Sequence, residues 1–426
     1  MGTSLGFHIV FAVLGVGMPV LMCIAEGAGI RRRDESWINQ ARRWSRAFGI
    51  LFAVGAVSGT ALSFELGLLW PSFMAFSGSI IGLPFTAEGF AFFLEAIFLG
   101  LYLYGWDRLS PLSHWLTSIP IALSGAASSV FVVMANAWMN TPAGFTLRNG
   151  SVVAVDPLAA ALNPSTATED PHMLVSAYVV TGFVVAAVYA AGMLKGRDDA
   201  FHRRGLALGM GMAAAAIVLA GITGDTSARF VYQAQPVKFA AMEGLYQTER
   251  GAPIHLGGIP SNSEHRVLYA IEIPKALSLL AAFDPNALVE GLDGFPAQDR
   301  PNPVVVHLSF DTMAGLGLGL GLLEICFWAY VLRRRRLPTW RPLLFAIVAA
   351  GPAAVIAMEA GWFVTEFGRQ PWIVYGLIRT TQAATSAPAL GPTFGIFLLI
   401  YAALAVTTAA LLLRLARNTR REQPAK

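Results

Sequence analysis

The chain has 426 residues, of which 55% are hydrophobic and only 13% are charged, with a formal net charge of +4. A soluble domain carries about 25% charged residues, so this composition excludes an ordinary soluble globule and points to a membrane protein. The two cysteines, Cys23 and Cys326, lie in apolar runs and support neither a disulfide framework nor a metal site.

A bilayer-spanning helix needs about 20 mostly apolar residues. Nine segments qualify: residues 5–29, 46–70, 86–106, 116–138, 173–194, 205–224, 305–332, 342–364 and 392–415. The first is too long for a signal-peptide core and lacks a small-residue cleavage site, so it is expected to stay as a span. Lys and Arg concentrate in cytoplasmic loops. Alternate loops and the C-terminal tail hold Arg31–Arg33, Arg42, Arg43, Arg46, Arg108, Lys195, Arg197, Arg203, Arg204, Arg333–Arg336, Arg341, Arg414, Arg417, Arg420, Arg421 and Lys426. These are 21 of the 30 basic residues. The expected fold is therefore an all-α polytopic membrane protein. It has nine transmembrane helices, the N-terminus outside (periplasmic) and the C-terminus cytoplasmic. Residues 1–426 read as one transmembrane domain with an extracytoplasmic loop at 225–304. That loop is predicted to hold a short helix over KFAAMEGLYQTE (238–249).

Ionisable groups inside spans are costly and are functional hypotheses by default. This chain places His8, Glu65, Glu88, Glu95, His172, His307, Asp311, Glu324, Glu359 and Glu366 within or at the edges of its spans. Glu88 and Glu95 are seven residues apart, which on a helix gives one face and about 10 Å of separation. Glu359 and Glu366 repeat that spacing. Carboxylates in file suit proton relay through intervening water; the competing reading is helix packing through Arg or hydroxyl partners. His172 and Met313 fall at one depth and offer the axial pair of a low-spin haem, with His307 a competing ligand. Gly315, Gly317, Gly319 and Gly321 offer a flat small-residue face, for a macrocycle or for close helix packing. No Walker A loop, GxGxxG after a strand or HExxH is present, so ATPase and soluble-nucleotide chemistry have no support.

Several stretches match one family. They are FGILFAVGAVSGTALSFELGLLW (48–70), AEGFAFFLEAIFLGLYLYGWDRL (87–109), VMANAWMNTPAG (133–144), PHMLVSAYVVTGF (171–183), MLKGRD (193–198), KFAAMEGLYQT (238–248), GIP (258–260) and MEAGWFVTEFGRQPW (358–372). Across almost its whole length the chain resembles subunit I of the cytochrome bd-type ubiquinol or menaquinol oxidases. GWDRL and GRQPW are its most specific motifs, and the loop is the short quinol-loop form, as in cyanide-insensitive oxidase-like members.

The resemblance implies the haem-containing subunit of a terminal quinol oxidase. Such a subunit carries a low-spin haem b, a high-spin haem b, and haem d or a further haem b. His172 and Met313 match the low-spin axial ligands, and His8 and Glu366 those of the high-spin haems. Glu88 matches a carboxylate at the oxygen-reactive haem, with Glu95 on the proton path toward it. Lys238 and Glu243 match quinol-site residues, and Arg369 and Trp372 belong to the haem environment. Asp311 departs from the pattern, because some members have Arg two residues before the ligand Met. Quinol would be oxidised at the outer face and O2 reduced to water with cytoplasmic protons, giving proton motive force without pumping. The implied partners are a second membrane subunit (subunit II), a small single-span subunit, quinol, O2 and membrane lipid, with no nucleic acid. The implied location is the bacterial cytoplasmic (inner) membrane. Two other readings compete: a proton-coupled transporter or channel without redox cofactors, and a degenerate structural subunit. Odd span number, absent repeat symmetry and the His/Met pair weigh against the transporter. The presence of every matched ligand position weighs against the degenerate subunit.

Overall fold

The computed structural model describes residues 1–386 and 390–421, with side chains through Arg417. Lys426 and the side chains of Arg420 and Arg421, counted above among the cytoplasmic charges, lie outside the described part. In chain order the helices are α1 (Gly2–Arg32), α2 (Glu35–Leu69), α3 (Pro71–Ser77), α4 (Gly82–Gly105), α5 (Pro111–Asn140), α6 (Pro157–Ala161) and α7 (Thr166–Leu194). They continue with α8 (Ala200–Ala234), α9 (Pro236–Glu243), α10 (Ala276–Ala282), α11 (Pro303–Arg334), α12 (Arg341–Gly368), α13 (Thr380–Ala383) and α14 (Leu390–Arg421). Among the described residues nine helices are long and apolar enough to cross a membrane: α1, α2, α4, α5, α7, α8, α11, α12 and α14.

These helices extend past the apolar windows because polar caps satisfy the first free N–H groups. Asp34 accepts from Ser36 N at 2.9 Å ahead of α2, Asp199 from His202 N at 2.9 Å ahead of α8, and Asn302 from Val304 N at 3.0 Å ahead of α11. The helix predicted over 238–249 is shorter: α9 stops at Glu243 because Gly244 takes a left-handed conformation, φ 63°. Its amide bonds back to the Ala240 carbonyl, which closes the helix.

The chain divides into two compact units. The first contains residues 1–75, 85–132 and 384–426. In it α1 packs along α2, and α14 packs on both. The Phe52 and Phe92 rings stack at 5.4 Å between α2 and α4. Trp115 Nε1 on α5 donates to the Cys23 carbonyl of α1 at 3.0 Å.

The second unit contains residues 76–84 and 133–383. Its centre is a bundle of α7, α8, α11 and α12. At the α7–α8 crossing the backbones nearly touch. A Cβ on Gly182 would lie 2.6 Å from Ala213 N, and one on Gly209 2.7 Å from Ala186 N. Only glycine permits that approach. Helix α9 lies against α8, α11 and α12. After it come three short antiparallel strand pairs: 249–250 with 288–289, 254–256 with 271–273, and 259–261 with 266–268. Two apolar clusters anchor this segment. One joins Val237, Ala241 and Met242 to Leu292, Val306 and Val364; the other joins Phe239 and Leu245 to Leu277 and Val289.

Candidate haem and quinol sites

Both histidines matched to haem ligands are set in the same way. His8 Nδ1 lies 2.9 Å from Ser58 Oγ, and that hydroxyl donates to the Val54 carbonyl at 2.9 Å. His172 Nδ1 lies 3.1 Å from Thr223 Oγ1, whose hydroxyl donates to the Leu219 carbonyl at 2.9 Å. With each hydroxyl donating to its carbonyl, its oxygen is an acceptor for a ring N–H. That arrangement is the Nδ1–H tautomer, which leaves Nε2 with its lone pair, the form that ligates a metal. Ser58 and Thr223 went unnoticed in the sequence, because a hydroxyl in an apolar helix has no signature until its partner is known.

A glycine on the facing helix makes room beside three of the four ligand candidates. A Cβ on Gly59 would sit 3.0 Å from His8 Cε1, one on Gly224 3.2 Å from His172 Cε1, and one on Gly361 2.8 Å from Met313 Sδ. His172 thus faces α8, Met313 faces α12, and both helices belong to the second unit's bundle. A Cβ on Gly315, Gly317 or Gly319 would meet no heavy atom within 4 Å. Close helix packing among the described residues therefore does not account for those three glycines. His307, the competing ligand, is turned to α9: its Nδ1 donates to the Met242 carbonyl at 2.7 Å, and its Nε2 is 3.6 Å from Asp311 Oδ2.

Glu366 lies in a buried polar network. Asn136 Nδ2 donates to its Oε1 at 2.7 Å, and Arg369 NH2 donates to its Oε2 at 2.7 Å. Arg369 is 1% exposed. Its NH1 reaches Asn140 Oδ1 at 3.4 Å. Asn140 Nδ2 donates to Glu169 Oε1 at 2.9 Å, and Gln235 Nε2 donates to the Asn140 carbonyl at 2.9 Å. Lys238 feels Glu169, Arg369 and Glu366 electrostatically, and its stem lies against Gly368, where a Cβ would come within 2.8 Å of Cγ. Two carboxylates and two cations thus balance inside the fold. A carboxylate has about four lone-pair sites, and Glu366 uses two, so its donor set still fits an iron. Arg369 Nε has no partner and is a free donor for an anionic group such as a propionate. Sequence reasoning missed Asn136 and Asn140 of α5, Glu169 of α7 and Gln235 at the α8–α9 junction. Trp372 is half-buried, and the Arg379 guanidinium lies 4.5 Å over its ring. Arg379 in turn pairs with Asp299.

Lys238 and Glu243 share α9 but face different neighbours. Lys238 points to the network just described. Glu243 is buried beside Asp311 of α11. Burial pushes the Glu243 carboxyl up to about 8, and the Asp311 charge adds to the rise. Burial pulls the Lys238 ammonium down to about 8, against the attraction of Glu169. Both groups therefore sit near the pH at which a proton can be exchanged.

In the first unit, Ser128 Oγ donates to Glu88 Oε1 at 3.2 Å. Glu95 is 5% exposed and lies against Gly125, where a Cβ would be 3.2 Å from Oε1. Glu65 accepts from Ser4 Oγ at 2.6 Å. Glu324 is buried beside Trp328.

The sequence model for "Cytochrome bd terminal oxidase subunit I" matches residues 1–420. The chain belongs to the cytochrome bd terminal oxidase subunit I family. The fold agrees with that membership. A solved structure described as bd oxidase from Geobacillus thermodenitrificans superposes with a TM-score of 0.92 at 41% identity, covering 98% of this chain and 96% of that one. A provisionally named cytochrome bd menaquinol oxidase subunit I of Bacillus subtilis (strain 168) is 39% identical over 418 residues, covering 97% of this chain and 94% of the relative. The cytochrome bd ubiquinol oxidase subunit 1 of the same organism is 31% identical over 418 residues, covering 94% and 89%. The family places this subunit in a multi-pass bacterial membrane enzyme, and the transporter reading is not favoured.

Proposed function

We propose that this chain is the haem-carrying subunit of a quinol:oxygen oxidoreductase of the bacterial inner membrane. It works with a second membrane subunit and a small single-span subunit, its N-terminus outside and its C-terminus in the cytoplasm. The observation that carries the reading is the shared setting of His8 and His172, each with Nδ1–H held by a hydroxyl and Nε2 left as a donor to iron. His172 and Met313 hold the low-spin haem b. His8 and Glu366 hold the high-spin pair, haem b with haem d or a further haem b. When bound, these groups carry electrons from quinol and reduce O2 to water.

The remaining work falls to side chains. Glu243 accepts a quinol proton at the outer face. Its raised proton affinity suits that task near neutral pH, where an ordinary carboxylate would hold the proton too weakly. Lys238 ties the quinol segment to the Glu366 network by charge, without pointing into the same space as Glu243. Glu95 and Glu88 pass protons from the cytoplasmic side along α4, with Ser128 orienting Glu88. Protons released outside and consumed from inside charge the membrane without a pump.

Oxygen uptake by the purified complete oxidase, with quinol as the donor, tests the reading. The expected result is uptake that yields water and acidifies the outer side of sealed vesicles. Haem-loaded enzyme that consumes no oxygen on quinol would overturn it.

A further inference from the structure

Tyr102 extends the carboxylate file of α4 by one more step. Glu88, Glu95 and Tyr102 recur every seven residues, each about 10 Å further along one face. Tyr102 is fully buried, and at its level two neighbouring helices add a second ionisable pair. Glu26 of α1 and His114 of α5 are 1% and 2% exposed. His114 Nδ1 lies 2.6 Å from Glu26 Oε1, and His114 Nε2 lies 2.9 Å from the Tyr102 carbonyl. Gly105 permits this placement, because a Cβ there would come within 3.2 Å of His114 Cδ2.

A carbonyl only accepts, so His114 Nε2 donates to the Tyr102 carbonyl, and Nδ1 shares one proton with Glu26 Oε1. Both ring nitrogens of His114 are thus engaged by the protein, unlike those of His8 and His172. Glu26 Oε2 and the Tyr102 hydroxyl are both buried, and the hydroxyl lies against the Glu26 carboxylate. A hydroxyl and a carboxylate thus meet at the Tyr102 end of the α4 file. On the other side the Trp106 ring covers His114 with centroids 4.0 Å apart. The Arg42 guanidinium lies 4.9 Å over Trp106 and pairs at 3.0 Å with the exposed Asp107. Polar groups therefore run from an exposed carboxylate inward to Tyr102.

We propose that Glu26 and Tyr102, positioned by His114, form the inner loading station of the proton file that ends at Glu88. Glu26 Oε2 takes a proton from cytoplasmic water. The Tyr102 hydroxyl oxygen accepts that proton and gives its own O–H proton to water leading to Glu95. Glu26 returns to the carboxylate, and no net bond changes elsewhere. His114 holds Glu26 Oε1 through Nδ1 and the Tyr102 carbonyl through Nε2–H throughout, so it is a positioning residue. The inference rests on the quinol-oxidase reading and its topology.

The test uses the complete oxidase in sealed vesicles, comparing the native chain with Tyr102→Phe and Glu26→Gln. Four quantities are read: haem content, anaerobic haem reduction by quinol, oxygen turnover, and proton uptake from the cytoplasmic side. Both variants are expected to keep haem content and anaerobic reduction, while turnover and proton uptake fall together by about 10-fold or more. Tyr102→Phe removes one oxygen atom and no bulk, so it decides alone if Glu26→Gln fails to assemble. Native turnover and uptake in a haem-replete Tyr102→Phe enzyme would overturn the proposal. So would a loss of turnover that only tracks loss of haem. Absence of quinol-driven oxygen uptake in the native complex would instead remove the quinol-oxidase reading itself.

Discussion

His172 and Thr223 form a donor–acceptor pair 3.1 Å apart, and Thr223 is itself committed to the Leu219 carbonyl. The pair orients a ring near the N-terminal end of α7. Thr223→Val keeps the shape and removes the acceptor. Loss of such a partner weakens metal ligation by about 10–100-fold. The expected outcome is a folded protein with a substoichiometric or broadened low-spin haem band, read by absorbance and haem quantitation. Ser58→Ala should do the same to the haem proposed at His8 and leave the low-spin band intact.

Met313 and Gly361 give a steric prediction. A Cβ on Gly361 would lie 2.8 Å from the Met313 sulfur, closer than real Cβ contacts allow. Gly361→Ala should displace the thioether, at about 1–3 kcal/mol of overpacking, and shift or abolish the low-spin spectrum. Met313→Leu should abolish that spectrum in folded protein. A Met313→Leu protein with an unchanged spectrum would move the ligand role to His307.

Arg369 and Glu366 give an energetic one. Removing one partner of a buried pair costs about 3–5 kcal/mol, because the other charge stays uncompensated. Arg369→Met should therefore lower thermal stability more than the double variant Arg369→Met/Glu366→Gln. The order of the two unfolding temperatures checks this without reference to activity.

The quinol segment gives a pH prediction. The Glu243 carboxyl is raised to about 8, so its accepting form fills as pH rises through that value. The Lys238 ammonium is lowered to about 8, so its charge is lost over the same range. The pH dependence of quinol kcat/KM should thus be bell-shaped with a maximum near 8. Glu243→Gln should lower the rate and erase the rising limb while haem content stays. Lys238→Arg, which keeps its charge, should move the falling limb to higher pH. Loss of all haem in Glu243→Gln would make that residue structural.

Much of the fold was legible because hydropathy and charge act locally. Each of the nine apolar windows falls on a long helix, and α2, α8 and α11 begin before their windows, behind the caps Asp34, Asp199 and Asn302. The length of α9 was misjudged because Gly244 outweighs the helix-forming residues beyond it. The candidate ligands were legible through ionisable residues in apolar runs and through the family motifs. Their supports were not: Ser58, Thr223, Asn136, Asn140 and Gln235 are neutral, and each has meaning only through a partner on another helix. Arg369 was expected in the haem environment; in the structure two of its three nitrogens serve Glu366 and Asn140. The charge of Glu366 therefore has a protein counterion in addition to any metal.

The most direct test of the central claim is a reduced-minus-oxidised visible spectrum of the purified oxidase, with pyridine-haemochrome analysis. The account predicts haem b, including a low-spin band lost in Met313→Leu, together with a far-red haem d band or further haem b. Folded protein that carries no haem would contradict it.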